Sequence, residues 1–173
     1  IAVGSIGEGW DGDRIVALLE SQTKQSTDIL VLNGVIGPEG WQVGLDQIES
    51  AVRTSGVSVA IAVVTNGCQW DQSMVLVTPQ RTYEHHATHG RGIGLGEHPS
   101  PVIETPTGRI GLLCGDEGLL PEVPRCLALE GAEILLWSGF NLPAITPKVA
   151  RTRAEENRIY VAAAWENDGI IAA

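Results

Sequence analysis

The sequence predicts an α/β fold in which sheets are covered by helices. Short apolar runs rich in Val and Ile alternate along the chain with amphipathic stretches, as strands and helices do in this class. The 173 residues are 43% hydrophobic and 18% charged, which is typical of a folded globule and predicts one domain over 1–173. The apolar runs are far shorter than the roughly 18 residues that predict a membrane-spanning helix.

The first half of the chain is predicted to contain three strands separated by two helices. Ile15 and Leu19 in the first helix, and Ile48 and Val52 in the second, recur at the spacing that puts apolar side chains on one helix face. Gly56 fits the position just past the second helix. The predicted elements, in order, are strand 1–6, helix 13–25, strand 28–32, helix 43–54 and strand 57–64.

The second half begins with antiparallel strands and then returns to the alternation. Turn residues at 79–80 and 106–108 each separate two short segments that are predicted as strands, which indicates two hairpins. Pro121 is tolerated in the first turn of the helix that follows. The predicted elements are strands 74–78 and 81–86, a Gly-rich loop 89–101, strands 102–104 and 109–114, helix 120–130, strand 133–137, helix 147–158 and strand 159–165.

Charge and cysteine content bear on partners and compartment. With Lys+Arg 11 and Asp+Glu 21, the net charge of −10 repels nucleic acid and anionic membranes, so neither is an expected partner. The three cysteines are odd in number, and their spacing fits neither a disulfide framework nor a zinc ribbon. We therefore expect a cytoplasmic protein.

Cys114 is the strongest candidate for a chemical role. It closes the apolar run 109–114 shortly before a predicted helix, which places its sulfur at a strand-to-helix elbow. Backbone N–H groups and a helix N-terminus there are expected to lower the pKa of the thiol and to stabilise an oxyanion. We therefore expect Cys114 to react faster with alkylating agents than Cys68 or Cys126. The alternative is a small buried hydrophobic residue.

Segments around and after Cys114 resemble the nitrilase superfamily, the carbon–nitrogen hydrolases. Residues 108–125 read GRIGLLCGDEGLLPEVPR and 127–136 read LALEGAEILL, similar to the family's G-x-I-G-x-x-I-C-Y-D-x-x-F-P-E-x-x-R and G-A-E-I-L-L. Residues 153–164, RAEENRIYVAAA, resemble its R-A-x-E-N-x-x-Y-V-x-x-A segment. The resemblance implies a four-layer α-β-β-α sandwich, truncated at the C-terminus, and a homodimer formed through helices 120–130 and 147–158.

The resemblance also implies a catalytic set of a Cys nucleophile, a Glu general base and a Lys that stabilises the tetrahedral intermediate. The nucleophile falls on Cys114, and the Glu of the family's Pro-Glu pair falls on Glu122. The base position at the end of the second strand holds Gly34, and the Lys position of a Y-R-K-x-H-L pattern holds His85. His85 and Glu39 remain as alternative bases.

Ligand contacts are expected at Tyr83 and Trp137, whereas metal and cofactor sites are not expected. The four histidines lie within fourteen residues, but no Cys or carboxylate accompanies them at ligand spacing. The Gly-rich stretch 4–9 lacks the spacing of a dinucleotide-binding loop.

Two functions therefore remain open. Because two of three catalytic positions are replaced, the sequence predicts a non-hydrolysing or regulatory member of the family. The alternative is an active thiol amidase that cleaves amide-like C–N bonds, with His85 or Glu39 as base. Either function implies a small amide-like or nitrile-like ligand.

Overall fold

Two five-stranded sheets pack face to face, and a pair of helices covers the outer face of each. The computed structural model describes residues 1–5, 12–36, 41–64, 72–88, 102–139, 142–165 and 168–173. The four layers run α-β-β-α, as the resemblance implies. Within these residues, no helix is both long and apolar enough to cross a membrane.

The first sheet comes from the first half of the chain and has its strands in sequence order. The first three strands are parallel, and the last two are antiparallel to their neighbours. Its elements are β1 (Ala2–Ser5), α1 (Gly12–Thr23), β2 (Ile29–Ile36), α2 (Trp41–Ser55), β3 (Ser58–Val64), β4 (Gln72–Val77) and β5 (Thr82–His86).

The second sheet comes from the second half, and its strands too follow one another across the sheet in sequence order. Its three central strands are parallel, and each edge strand is antiparallel to its neighbour. Its elements are β6 (Ile103–Thr105), β7 (Gly108–Cys114), a 3₁₀ turn (Gly115–Leu119), α3 (Glu122–Leu129), β8 (Ile134–Ser138), α4 (Thr146–Asn157), β9 (Tyr160–Trp165) and β10 (Asp168–Ala172).

Within the described residues, the elements agree with the sequence prediction except in three places; the predicted Gly-rich loop 89–101 lies outside those residues. β2 continues four residues beyond Leu32, through a register irregularity, to Ile36. The 3₁₀ turn occupies the residues before Pro121, so α3 begins at Glu122. The short run of β10 is not predicted because its apolar pattern is too brief to stand out, yet it pairs along β9.

Alternation along each strand directs its apolar side chains to two sides: the core between the sheets and the core between that sheet and its helices. In β7, Leu112 and Cys114 face the other sheet, whereas Leu113 faces the helices. Small residues on the central strands allow the sheets to pack closely; these are Ala60, Ala62, Ala162 and Ala164.

Candidate functional site

Cys114 lies at the end of β7 on the face that meets the other sheet. Its side chain is fully buried in the core between the sheets. The parallel neighbour β8 brings Ser138 alongside it. The Ser138 hydroxyl donates to the Leu32 carbonyl oxygen of β2 at 2.9 Å, which fastens the two sheets beside the cysteine.

The elbow after Cys114 is built on Gly115. Its φ of +56° belongs to the left-handed region that glycine adopts readily. Gly139 lies so close that a Cβ on it would meet the Gly115 backbone, and the Gln72 side chain lies beside both. The elbow therefore requires two glycines in contact.

Glu117, in the 3₁₀ turn, is the acidic group of the site. Its carboxylate is fully buried, and its Oε2 accepts the Cys114 backbone N–H at 2.9 Å. Its Oε1 accepts the Thr88 backbone N–H at 2.8 Å and the Thr88 hydroxyl at 3.2 Å. The carboxylate thus joins the elbow of one sheet to the chain leaving β5 of the other.

His85 reaches the same carboxylate from β5. It pairs with Met74 of β4, and residues 83 and 85 point inward while Glu84 and His86 are exposed. His85 is 5% exposed, and its Nε2 lies 2.7 Å from Glu117 Oε2. Because an ionised carboxylate only accepts hydrogen bonds, Nε2 carries the proton and donates it.

The expected lowering of the Cys114 pKa is wrong. Burial raises the pKa of the thiol well above its usual value, and the negative charge of Glu117 raises it further. The backbone N–H of Cys114 itself donates to the Glu117 carboxylate. At neutral pH the sulfur is therefore a protonated, buried thiol.

The other predicted site residues lie around this cluster rather than within it. Glu122 is exposed at the first residue of α3. Trp137 is fully buried in the outer core, because its place in β8 puts it on the helix side of the sheet. Its Nε1 donates to the Gly115 carbonyl oxygen at 2.8 Å, so it supports the elbow from behind. Tyr83 is half-buried between the sheets with the Arg81 guanidinium 5.1 Å from its ring centroid.

The remaining catalytic positions supply no base or lysine within the described residues. Gly34 lies in β2, and Glu39 falls outside the described residues, as do Cys68, His89 and His98. The two lysines of the chain are Lys24, just past α1, and Lys148 in α4, and both are exposed on the outer layers. No lysine is therefore available to Cys114.

Sequence reasoning missed Glu117. The available signal is the spacing Cys-x-x-Glu, which matches the capping-box arrangement in which a Glu side chain returns to the N–H three residues earlier. This chain also has six residues between Cys114 and Pro121, one more than the family pattern of C-Y-D-x-x-F-P. The 3₁₀ turn lies within this longer stretch.

Two cavities in the described part of the chain lie away from Cys114. One, of about 570 Å³, is an open groove between α1 and α2, and the other, of about 140 Å³, lies between the turns at 78–80 and 105–107. Within the described ranges, no three metal-ligating side chains converge.

Comparisons with known proteins agree with this fold. A family model described as carbon-nitrogen hydrolase matches residues 44–170. A cysteine-to-alanine variant of an amidase from Nesterenkonia AN1, of the nitrilase superfamily, superposes with a TM-score of 0.76 at 16% identity, covering 98% of this chain and 78% of that one. A carbon-nitrogen hydrolase from Helicobacter pylori G27 has a TM-score of 0.71 at 16% identity, covering 93% of this chain and 72% of that one. No curated protein sequence matches the chain significantly.

Proposed function

The chain belongs to the carbon-nitrogen hydrolase family, and from this membership we propose that it is a non-hydrolysing or regulatory member that keeps the nucleophile elbow without the catalytic set. One observation carries the proposal. The carboxylate at Cys114 is Glu117, which already accepts hydrogen bonds from Cys114, His85 and Thr88. A base that takes a proton from a thiol needs a free acceptor oxygen directed at that thiol.

Oxyanion stabilisation is the second requirement that supports this proposal. Attack of a thiolate on an amide carbon places negative charge on the former carbonyl oxygen, which needs a positive charge or strong donors nearby. In the family pattern this charge belongs to a lysine, and both lysines of this chain are exposed on the outer layers. His85, at the lysine position, donates its Nε2–H hydrogen bond to Glu117.

Hydrolysis assays test the proposal. Ammonia release from butyramide and butyronitrile is measured for the wild-type chain and for Cys114→Ala. We expect equal, background release from both, since His85 and Glu117 are hydrogen-bonded to each other and both lysines are exposed on the outer layers. Hydrolysis requires at least the combined substitutions Gly34→Glu and His85→Lys.

The opposite result would identify the base. Release by the wild-type chain that disappears in Cys114→Ala contradicts the proposal and supports the active thiol amidase. Loss of that release in His85→Gln, or in Glu39→Gln, then assigns the general base to the residue replaced.

The ligand proposed for this module is a small amide. The support comes from a structural neighbour: a variant of the Nesterenkonia amidase (TM-score 0.78, 16% identity) is solved in complex with butyramide. We expect millimolar butyramide to raise the melting temperature of the chain, and an equal concentration of butyrate to leave it unchanged. An unchanged melting temperature with both compounds contradicts the ligand assignment.

A reducing, cytoplasmic setting is proposed on the basis of the cysteines. Cys114 and Cys126 are free thiols, and Cys126 is exposed on α3. Isolation without reductant tests this proposal: we expect Cys126 to remain titratable with a thiol reagent. A native disulfide through Cys126 would contradict it.

A further inference from the structure

We propose that Glu117 is a lock on Cys114: anchored to β5 across the sheet interface, its carboxylate keeps the thiol unreactive, and its removal releases a reactive thiol. This inference rests on the proposed function, because it takes the wild-type sulfur to be idle. Glu117 thus regulates the reactivity of the Cys114 thiol.

Four hydrogen bonds hold the Glu117 carboxylate in position. Each oxygen accepts two hydrogen bonds: Oε2 from Cys114 N–H and His85 Nε2–H, and Oε1 from the N–H and hydroxyl of Thr88. The longest of these contacts is 3.2 Å. His85 is itself held by strand pairing with Met74. The carboxylate therefore cannot turn away from Cys114 without breaking its bonds to the other sheet.

The lock also depends on the charge around the sulfur. The titratable side chains among the described residues at this elbow are Glu117, His85 and the partly exposed Asp116. The packed strands β8 and β4 contribute Ser138 and Gln72, which carry no charge. His85 is committed to Glu117, so the nearest charge to the thiol is negative and opposes thiolate formation.

The lock is separable from the fold. Glutamine has the shape of glutamate, and its amide oxygen can accept the Cys114 N–H or the His85 Nε2–H. Glu117→Gln thus removes the charge while keeping part of the hydrogen-bond set. If charge restrains the thiol, this substitution changes its reactivity, whereas burial alone would leave it as slow as before.

The experiment is the pH profile of alkylation by iodoacetamide, read at Cys114 by peptide mass spectrometry with Cys126 as the internal reference. In Glu117→Gln we expect the midpoint for Cys114 to fall by at least one pH unit, which gives about tenfold faster alkylation near neutral pH. The matched control, Glu155→Gln on the exposed face of α4, is expected to alkylate Cys114 at the wild-type rate. A folded Glu117→Gln chain overturns the proposal if its Cys114 midpoint is unchanged and its alkylation rate stays within twofold of wild type.

Two further measurements separate charge from packing. His85→Gln keeps the Glu117 charge and offers an amide donor, so we expect alkylation as slow as in the wild type; acceleration equal to that of Glu117→Gln would overturn the lock. A wild-type Cys114 midpoint at or below that of Cys126 also overturns the lock, and this measurement does not depend on whether Glu117→Gln folds. These outcomes are independent of ammonia release, which tests the proposed function alone.

Discussion

The Cys114 thiol shows how one hydrogen bond reverses an expectation based on position. A cysteine at a strand-to-turn elbow has backbone donors beside it, and free donors would favour the thiolate. Here the Cys114 N–H is directed at Glu117, which brings a carboxylate close to the sulfur. Burial is the larger cause of the raised pKa of this thiol, and the negative charge of Glu117 adds to it.

The raised pKa of Cys114 makes stability depend on pH in the alkaline range. The folded chain holds the thiol proton above 9.0, the ordinary pKa at which the unfolded chain releases it. The stabilisation is therefore complete below pH 9 and is lost as pH rises towards the folded pKa, with a slope of at most about 1.4 kcal/mol per pH unit. We expect urea denaturation to show a steeper loss of stability above pH 9 for the wild type than for Cys114→Ala. Parallel curves for the two chains would contradict this prediction.

The residues of the site differ in how far the sequence could reveal them. Cys114 and His85 were identified from local pattern, because each lies within a short run of fixed spacing. Their meeting through Glu117 depends on packing between two sheets, with 32 residues separating His85 from Glu117. Trp137 was expected to contact the ligand because of its place at the end of β8. Alternation along β8 instead directs its side chain to the helix side of the sheet.

At the scale of elements, α4 holds the 3₁₀ turn in place. Arg153 donates from Nε to the Gly118 carbonyl oxygen at 3.1 Å and from Nη2 to that of Leu119 at 2.9 Å. Its Nη1 contacts Glu156 at 2.6 Å, so the guanidinium is fixed on its own helix as well. The arginine of the R-A-x-E-N segment is thus a structural connection between α4 and the turn that carries Glu117.

This connection predicts a specific cost for Arg153→Lys. A lysine has one ammonium group and cannot hold both carbonyl oxygens and Glu156 in the planar geometry of a guanidinium. We expect a loss of about 1–3 kcal/mol in the free energy of unfolding, measured by urea denaturation. Arg151→Lys, on the exposed face of the same helix, is the control and should change stability by less than about 0.5 kcal/mol. Equal effects from the two substitutions would show that the bonds to the turn contribute nothing.

Elements with a long periodic apolar pattern were predicted from the sequence, whereas the 3₁₀ turn and β10, whose patterns are short, were not. The helices and central strands carry several apolar residues at one period, so their existence was clear from sequence. The 3₁₀ turn and β10 are five residues each and owe their conformation to neighbours, namely β7 and β9. Such elements are determined by tertiary contacts that no local pattern records.

At the scale of the whole molecule, the two outer helix layers leave several large apolar side chains exposed. On the side of the second sheet, Leu129 at the end of α3 is 70% exposed and Ile145 before α4 is 54% exposed. These residues belong to the helical layer through which the family resemblance implies a homodimer. Burial of such side chains in an interface is favourable by about 25 cal/mol per Å² of apolar surface.

Self-association through this layer is therefore our prediction for the whole chain. We expect sedimentation at micromolar concentration to give about twice the 18.4 kDa monomer mass, and Leu129→Glu to shift the chain to monomer. Val43→Glu, at a 63% exposed position on α2, is the matched control on the opposite layer and should sediment like the wild type. A wild-type chain that sediments only as a monomer would contradict the prediction.

The contact between Gly115 and Gly139 has a consequence for how this sequence can evolve. A side chain on Gly139 would overlap the Gly115 backbone, and one on Gly115 would be strained at its positive φ. The family pattern carries a tyrosine at the Gly115 position, so recovery of that pattern requires the elbow to change shape together with its neighbour. Restoring a glutamate and a lysine at the two replaced positions leaves this obstacle in place. Single substitutions at either glycine are therefore expected to strain the elbow, and a change towards the family pattern at position 115 requires concerted change at both positions.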